Sequence, residues 1–381
     1  MARGWVSRRN RFLGVVLGLT GAAVVLALAG HPRPPDLQSG PILSECDGAL
    51  RELVIHYTLD AAPVTGAIFS EFLRQLEAGV DVHVVCPDRA AYDDLRGRAG
   101  TLRCRLLPVV VGHEITGWSR DRWLAVLPGK SGGPRLLVSP RSERGADVWP
   151  ARLGDESVGK DLASHLGRGF ASVRSDLFFD GGDFVADSET VFVAPDVLAR
   201  NLHQTVANDD QLSRQLEVLL GRHIVLLKDA PNHHAGMFMM TVGRRTVVVG
   251  DPAAGRRLWD TMGPGRQSTC FPQTPDFSDA TRERFESVAR ACAAAGYRVV
   301  RIPTVAGSDS RTYLTYVNVI IDEQSGRRVV YMPVYRGADE MTRAAQKVWE
   351  SLGCEVRPID CTAAMPHFGS LGCLVNVLRR D

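Results

Sequence analysis

Strand-like apolar runs alternate with helix-like segments from residue 50 to the end of the chain, which predicts an α/β fold. Two further observations agree with this. The composition is that of a globular chain, with 45 basic against 43 acidic residues and no excess of disorder-forming types. The strand-helix-strand order also recurs, which implies internal pseudo-repeats, although no sequence repeat is evident.

The elements follow in order. Residues 52–57 are an apolar run read as a buried strand, and residues 64–78 have helical spacing. Residues 82–86 are a strand, 90–96 a short helix and 102–111 a strand. Strand-like segments at 123–127 and 135–139 precede a helical stretch near 161–166 and a strand at 191–193. A helix at 210–220 leads to a strand at 223–227 and a hairpin pairing 237–241 with 246–249. A helix at 279–295 leads to a strand at 297–302. The last unit holds strands at 314–321 and 328–332, a helix at 340–352 and a strand at 355–358.

Three regions are expected: 1–30, a signal peptide or membrane anchor; 31–44, a proline-rich linker; and 45–381, the catalytic domain. Arg3, Arg8, Arg9 and Arg11 precede an uncharged apolar run from residue 12 to 29, read as a hydrophobic helix. Residues 27–29 form an acceptable cleavage site, and Arg8-Arg9 approaches a twin-arginine export signal. Cleaved or not, the flanking arginines place the remainder outside the cytoplasm, periplasmic or extracytoplasmic. The membrane is engaged only through this segment. A net charge of +2 without a basic, aromatic-laced stripe argues against nucleic-acid binding. The eight cysteines invite disulfides in an exported chain, with Cys86–Cys104 and Cys354–Cys361 as candidate pairs. Their scattered spacing argues against a zinc cluster. The oligomeric state is not legible.

Four polar segments carry candidate chemistry. Trp118-Ser119-Arg120-Asp121 places an acid among arginines, and alone would be a surface ion pair. Asp180-Gly181-Gly182-Asp183 follows an apolar run, and alone would be a turn. His233 and His234 precede a strand, and alone would be structural. Cys373 follows Gly369-Ser370-Leu371-Gly372, whose glycines allow a sharp turn that presents one side chain. Alone, Cys373 would be a small buried hydrophobe. Together they supply a thiol, an imidazole and carboxylates, the parts for covalent chemistry on a cation.

In this order the segments resemble the guanidino-group-modifying enzymes, or pentein superfamily, and most of all the agmatine deiminase and bacterial peptidylarginine deiminase branch. Trp118 to Asp121 resembles its Trp-x-Arg-Asp segment, and Asp180 to Asp183 its Glu-Gly-Gly segment. His234-Ala235-Gly236 resembles its His-x-Asp segment. Residues 313–318 through 332–335 resemble the run leading to the nucleophile, and residues 369–373 the nucleophile turn. The resemblance implies a five-bladed α/β propeller with pseudo-fivefold symmetry and a central site. It implies hydrolysis of a carbon-nitrogen bond in a linear amidine, on a small-molecule or peptidyl guanidino substrate, with no cofactor and no metal. Cys373 would attack the guanidinium carbon to form a thiouronium intermediate. His234 would serve as acid and then base, with His233 the alternative at the neighbouring position. Asp121 and Asp180 would bind the guanidinium, within a site that includes Trp118, Arg120 and Asp183.

Two positions depart from the pattern. Asp180 stands where glutamate is commoner, and Gly236 stands where deiminases carry an acid. The second departure points to a substituted guanidine, another amidine or a weakened enzyme. A non-catalytic guanidinium binder and an amidinotransferase are the alternatives.

Overall fold

The central strands are nearly uninterrupted apolar runs, because both faces of each are covered. In the computed structural model, which describes residues 39–381 apart from 131, 144–147 and 325, they organise a repeated unit. In each of five sheets a first strand pairs antiparallel with a central strand. The central strand pairs parallel with a third, reached through one or more helices.

Leu124–Pro128, Arg135–Ser139 and Phe170–Arg174 form one such sheet. Phe184–Ala186, Thr190–Val193 and His223–Leu226 form the next. Then come Met239–Gly243, Thr246–Asp251 and Arg298–Pro303, followed by Ile320–Gln324, Arg327–Val334 and Cys354–Asp360. The remaining sheet is split across the chain. Leu50–His56 is its central strand, parallel to Asp81–Cys86, which is in turn parallel to Arg105–Val110. Its antiparallel partner is Val375–Arg380, from the far end of the sequence. A small sheet of Pro275–Asp276, Val305–Gly307 and Tyr313–Leu314 lies outside this pattern.

Two of the longer helices bury an apolar stripe. Leu212, Leu216 and Leu220 are buried along Asp209–Leu220, and Met341, Ala345 and Trp349 along Asp339–Ser351, both at four-residue steps. Asn208 and Ser278 cap their helices by accepting from the backbone N–H groups of Gln211 and Thr281.

The α/β reading therefore holds, with instructive differences in the elements. The helix expected near 161–166 runs from Pro150 to Leu166. Pro195–Asn201, Pro252–Trp259 and Pro264–Cys270 are helices where sequence reading assigned no element. All four open on proline, which reads as a breaker but fits the first helical position, where its missing N–H costs nothing. The strand expected at 314–321 is broken. Tyr313–Leu314 and Ile320–Gln324 belong to different sheets, and the loop between them enters the site described below.

The apolar segment within 1–30 and residues 31–38 of the proline-rich segment lie outside the described residues. The end of that proline-rich segment is structured: Ser39–Ile42 pairs antiparallel with Leu124–Pro128. No helix among the described residues is long and apolar enough to cross a membrane. All eight cysteines are free and buried, so neither candidate disulfide forms. Cys86 ends its strand, whereas Cys104 precedes the start of the neighbouring parallel strand, which puts the two at opposite ends of the sheet. Cys354 and Cys361 are separated by an extended strand of seven residues, about 20 Å long, against the 7 Å or so that a disulfide spans.

Candidate active site

The site is built from one recurring position, the turn that leads into the first strand of each unit. Asp121 and Arg122 precede Leu124–Pro128, and Asp180 to Asp183 precede Phe184–Ala186. His234 and Gly236 precede Met239–Gly243, Asn318 precedes Ile320–Gln324, and Cys373 precedes Val375–Arg380. Residues more than 250 positions apart in sequence thus meet because they hold equivalent places in the repeat.

Each turn is tied to the next. The Arg120 N–H donates to the Cys373 carbonyl at 3.4 Å, and the Gly181 N–H to the Asp121 carbonyl at 2.7 Å. The ring of His234 lies against Gly182, where an added Cβ would stand 2.4 Å from Nδ1. Asn318 Nδ2 donates to the Gly236 carbonyl at 2.9 Å, and the Gly372 N–H to the Asn318 carbonyl at 3.1 Å, which closes the circuit. The glycines of these motifs serve close approach. Gly182 and Gly369 have no positive φ, and a Cβ on Gly369 would stand 2.4 Å from the Trp118 ring. Gly182→Ala is therefore expected to push His234 out of line. The cost should be about 1–3 kcal/mol of stability, read from the denaturation midpoint, with a disproportionate loss of turnover.

Trp118, Asp121, Asp180, Asp183, His234 and Cys373 all line one cavity of about 1400 Å³. Of the seven residues expected to form the site, Arg120 alone does not line it. Its guanidinium is held by Glu45, with one contact at 3.1 Å, and by the Phe184 carbonyl at 3.2 Å. Arg120 therefore anchors the entering chain behind the site rather than contacting a ligand. Asp183 turns its carboxylate inward, where Oδ2 accepts from the Asp180 N–H at 2.8 Å and fixes the turn.

The two histidines divide clearly. His233 Nε2 donates to the Phe368 carbonyl at 2.7 Å. Burial and the neighbouring His234 push its pKa down to about 3, so it is neutral. His234 faces both Asp180, with Nε2 3.9 Å from Oδ2, and Cys373. Burial opposes its charge, but contacts with Asp180 and Cys373 and the carboxylates of Asp121 and Asp183 prevail. They hold its pKa well above the ordinary imidazole value.

The carboxylates differ from one another as well. Burial lifts Asp121 to about 6 and Asp183 to about 7. Asp180 is buried too, but His234, Arg152 and Arg200 overcome that and hold it well below the carboxylate range. Its partners are an unexpected feature. Oδ1 accepts from Arg122 Nη1 at 3.0 Å and Arg152 Nη2 at 2.7 Å, and Oδ2 from Arg200 Nη1 at 3.1 Å. Glu143 accepts from Arg122 and Arg200 beside it, at 3.0 and 2.7 Å. Asp180 is thus a counter-ion shared among cations of its own chain, while Asp121 Oδ1 has no hydrogen-bond partner among the described residues.

Asn318 fills the place beside Gly236. A Cβ on Gly236 would lie 3.2 Å from Asn318 Nδ2. Asn318 Oδ1 also accepts from the Cys373 N–H at 3.2 Å and lies 3.5 Å from Sγ. A neutral amide, held by two backbone groups, therefore stands between Gly236 and Cys373. Tyr335 braces this arrangement, with its hydroxyl 3.0 Å from both the Thr315 carbonyl and Ser370 Oγ.

Sequence reading missed Asn318, Glu143, Arg152 and Arg200 as site residues. Asn318 lay within a run expected to be strand, and Arg152 and Arg200 lie on helices opened by proline. Arg122 adjoins Asp121 and was visible only as a generic charge.

No family model matches the sequence, and no curated protein matches it. The fold has solved counterparts. The agmatine deiminase of C. jejuni superposes with a TM-score of 0.64 at 13% identity, over 90% of this chain and 96% of that one. The agmatine deiminase of Enterococcus faecalis gives 0.64 at 11% identity, over 90% and 96%. The chain shares the fold of these agmatine deiminases.

Proposed function

We propose that the protein is a cofactor-free, deiminase-like hydrolase of a guanidino or amidino carbon-nitrogen bond, acting through a Cys373 thiouronium intermediate. The observation that carries this reading is the convergence of Cys373, His234 and the carboxylates of Asp121, Asp180 and Asp183 on one cavity, within a fold shared with agmatine deiminases. Five repeats of one unit, the circuit of contacts between their turns and the completion of the first sheet by the last strand support a closed five-bladed propeller. From the N-terminal sequence, the site works outside the cytoplasm.

The chemistry follows from the placement of the groups. The Cys373 thiolate attacks the central carbon of the cation, forming a carbon-sulfur bond. His234 already carries the proton that the departing nitrogen requires, and donates it as the carbon-nitrogen bond breaks. The imidazole, now neutral, takes a proton from water. The resulting hydroxide adds to the thiouronium carbon, the carbon-sulfur bond breaks to return the thiolate, and the O-protonated product gives its proton to water or to the released amine to become the ureido product. Asp180, shared with Arg122, Arg152 and Arg200, steadies the imidazolium through Oδ2, and together with Asp121 receives the substrate cation.

The full chain should release ammonia, or an amine, from at least one of arginine, agmatine, a peptidylarginine and a methylated arginine. No release from any of these, with no labelling of Cys373 by a haloacetamidine, would refute the reading. The carboxylates set the pH dependence. A carboxyl lifted by burial is neutral below its pKa and cannot hold a cation, so kcat/KM should fall as pH drops through about 6, where Asp121 takes up its proton. Asp121→Asn should lower kcat/KM throughout and flatten this limb, and an unchanged limb in that variant would exclude Asp121 as its source.

A further inference from the structure

Arg152 lies in the third position of the helix Pro150–Leu166, the positive end of the helix dipole, where acids rather than bases are favoured. What holds it there is the site itself. Nη2 donates to Asp180 Oδ1 at 2.7 Å and Nη1 to Asp121 Oδ2 at 3.4 Å. One guanidinium fork thus spans the two carboxylates expected to receive the guanidinium of a substrate. The helix that carries it is fixed by close packing, since a Cβ on Gly154 would meet the Glu114 carbonyl at 1.8 Å. The arginine side chain is less confined. It is 26% exposed and lines the cavity, and its Nε lies 3.5 Å from Glu143 Oε2.

We propose that Arg152 is an internal guanidinium that competes with cationic substrates for Asp121 and Asp180, and so determines which of them the site accepts. This rests on the reading of those carboxylates as the cation-binding groups. Arg152 and a guanidinium substrate carry the same chemical group, so exchanging them leaves the two carboxylates paired with one guanidinium as before. On displacement Arg152 keeps Glu143 as its partner and remains at the cavity wall. The substrate gains only the difference between its own contacts and those of Arg152. Small guanidines that reach nothing further are thereby disfavoured, and substrates with additional contacts along the cavity are selected. The competition also accounts for a feature the reaction does not require, a cation bound between two carboxylates beside a nucleophile that acts on cations.

The test uses the full chain and two alkylating probes that differ in charge, chloroacetamidine and chloroacetamide. In both, the Cys373 sulfur displaces chloride, and their rate ratio reports recognition of the cation. Arg152→Gln should raise that ratio roughly tenfold, as for a competitor that blocks about nine molecules in ten. Arg152→Lys, which keeps the charge but cannot span both carboxylates, should give a ratio between wild type and Gln and carries the test if the Gln variant does not fold. A ratio at or below wild type in the variants that fold overturns the proposal and makes Arg152 a counter-ion that organises the carboxylates. Asp121→Asn separates the two levels of inference. If it lowers the wild-type ratio while the Arg152 variants do not raise it, only the competition fails. If it changes the ratio neither alone nor with Arg152→Gln, the cation-binding reading of Asp121 fails, and the competition with it.

Discussion

Cys373→Ala is expected to abolish turnover, by at least about 10⁴-fold, while leaving a substrate cation able to bind. No other described cysteine lines the cavity, so no second thiol replaces the lost nucleophile. The fold should survive the change. Cys373 packs within the core with Sγ 3.8 Å from Met237 Sδ, and losing one sulfur there costs on the order of 1 kcal/mol. Isothermal titration of the variant against the best substrate then separates catalysis from binding. Retained affinity without product formation is the expected pair of results. An unchanged rate would assign the chemistry to another group.

His234→Asn should lower turnover about 10³-fold, and more informatively should split the reaction in two. With an amine leaving group, both steps lose their proton carrier. An amidine whose leaving group departs without a proton, such as a thiolate, needs His234 only for the hydrolytic step. With such a substrate the variant should accumulate the Cys373 thiouronium, visible as a stable mass increment on that peptide, whereas wild type turns it over. Loss of adduct formation with this substrate as well would mean that His234 acts before the leaving group does. His233→Asn should not behave this way, because His233 is neutral and bonded to the Phe368 carbonyl.

The sequence carried the fold class, and it marked Asp180, His234 and Cys373 as candidates that the structure brings to one cavity, because those depend on local patterns. Valine-rich runs mark the central strands, and glycine beside Asp180, His234 and Cys373 marks turns where chains approach closely. The glycines were read as permitting sharp turns, but in Gly182 and Gly369 the constraint is the ring packed against each. Arg120 was misplaced because an arginine next to Asp121 reads the same whether it faces the cavity or Glu45. The arginines on Asp180 were not legible, because Arg152 and Arg200 lie on helices distant in sequence from it and have no local signature. Asn318 was missed for a related reason. Its place in the site follows from its equivalence to Cys373 in the repeat, an equivalence of backbone position rather than of residue type. The acid that the family resemblance implies at Gly236 is missing from that position, and the Asn318 amide lies 3.2 Å from where its side chain would begin.

The central claim is that Cys373 forms a covalent bond to the carbon of a guanidino or amidino group. Acid-quenched mass spectrometry of the full chain during turnover tests it most directly. The account predicts a substrate-dependent amidino adduct on the peptide that contains Cys373, on none of the other seven cysteines, and absent from Cys373→Ala. Product formation without any such adduct, or an adduct confined to a different cysteine, would contradict it.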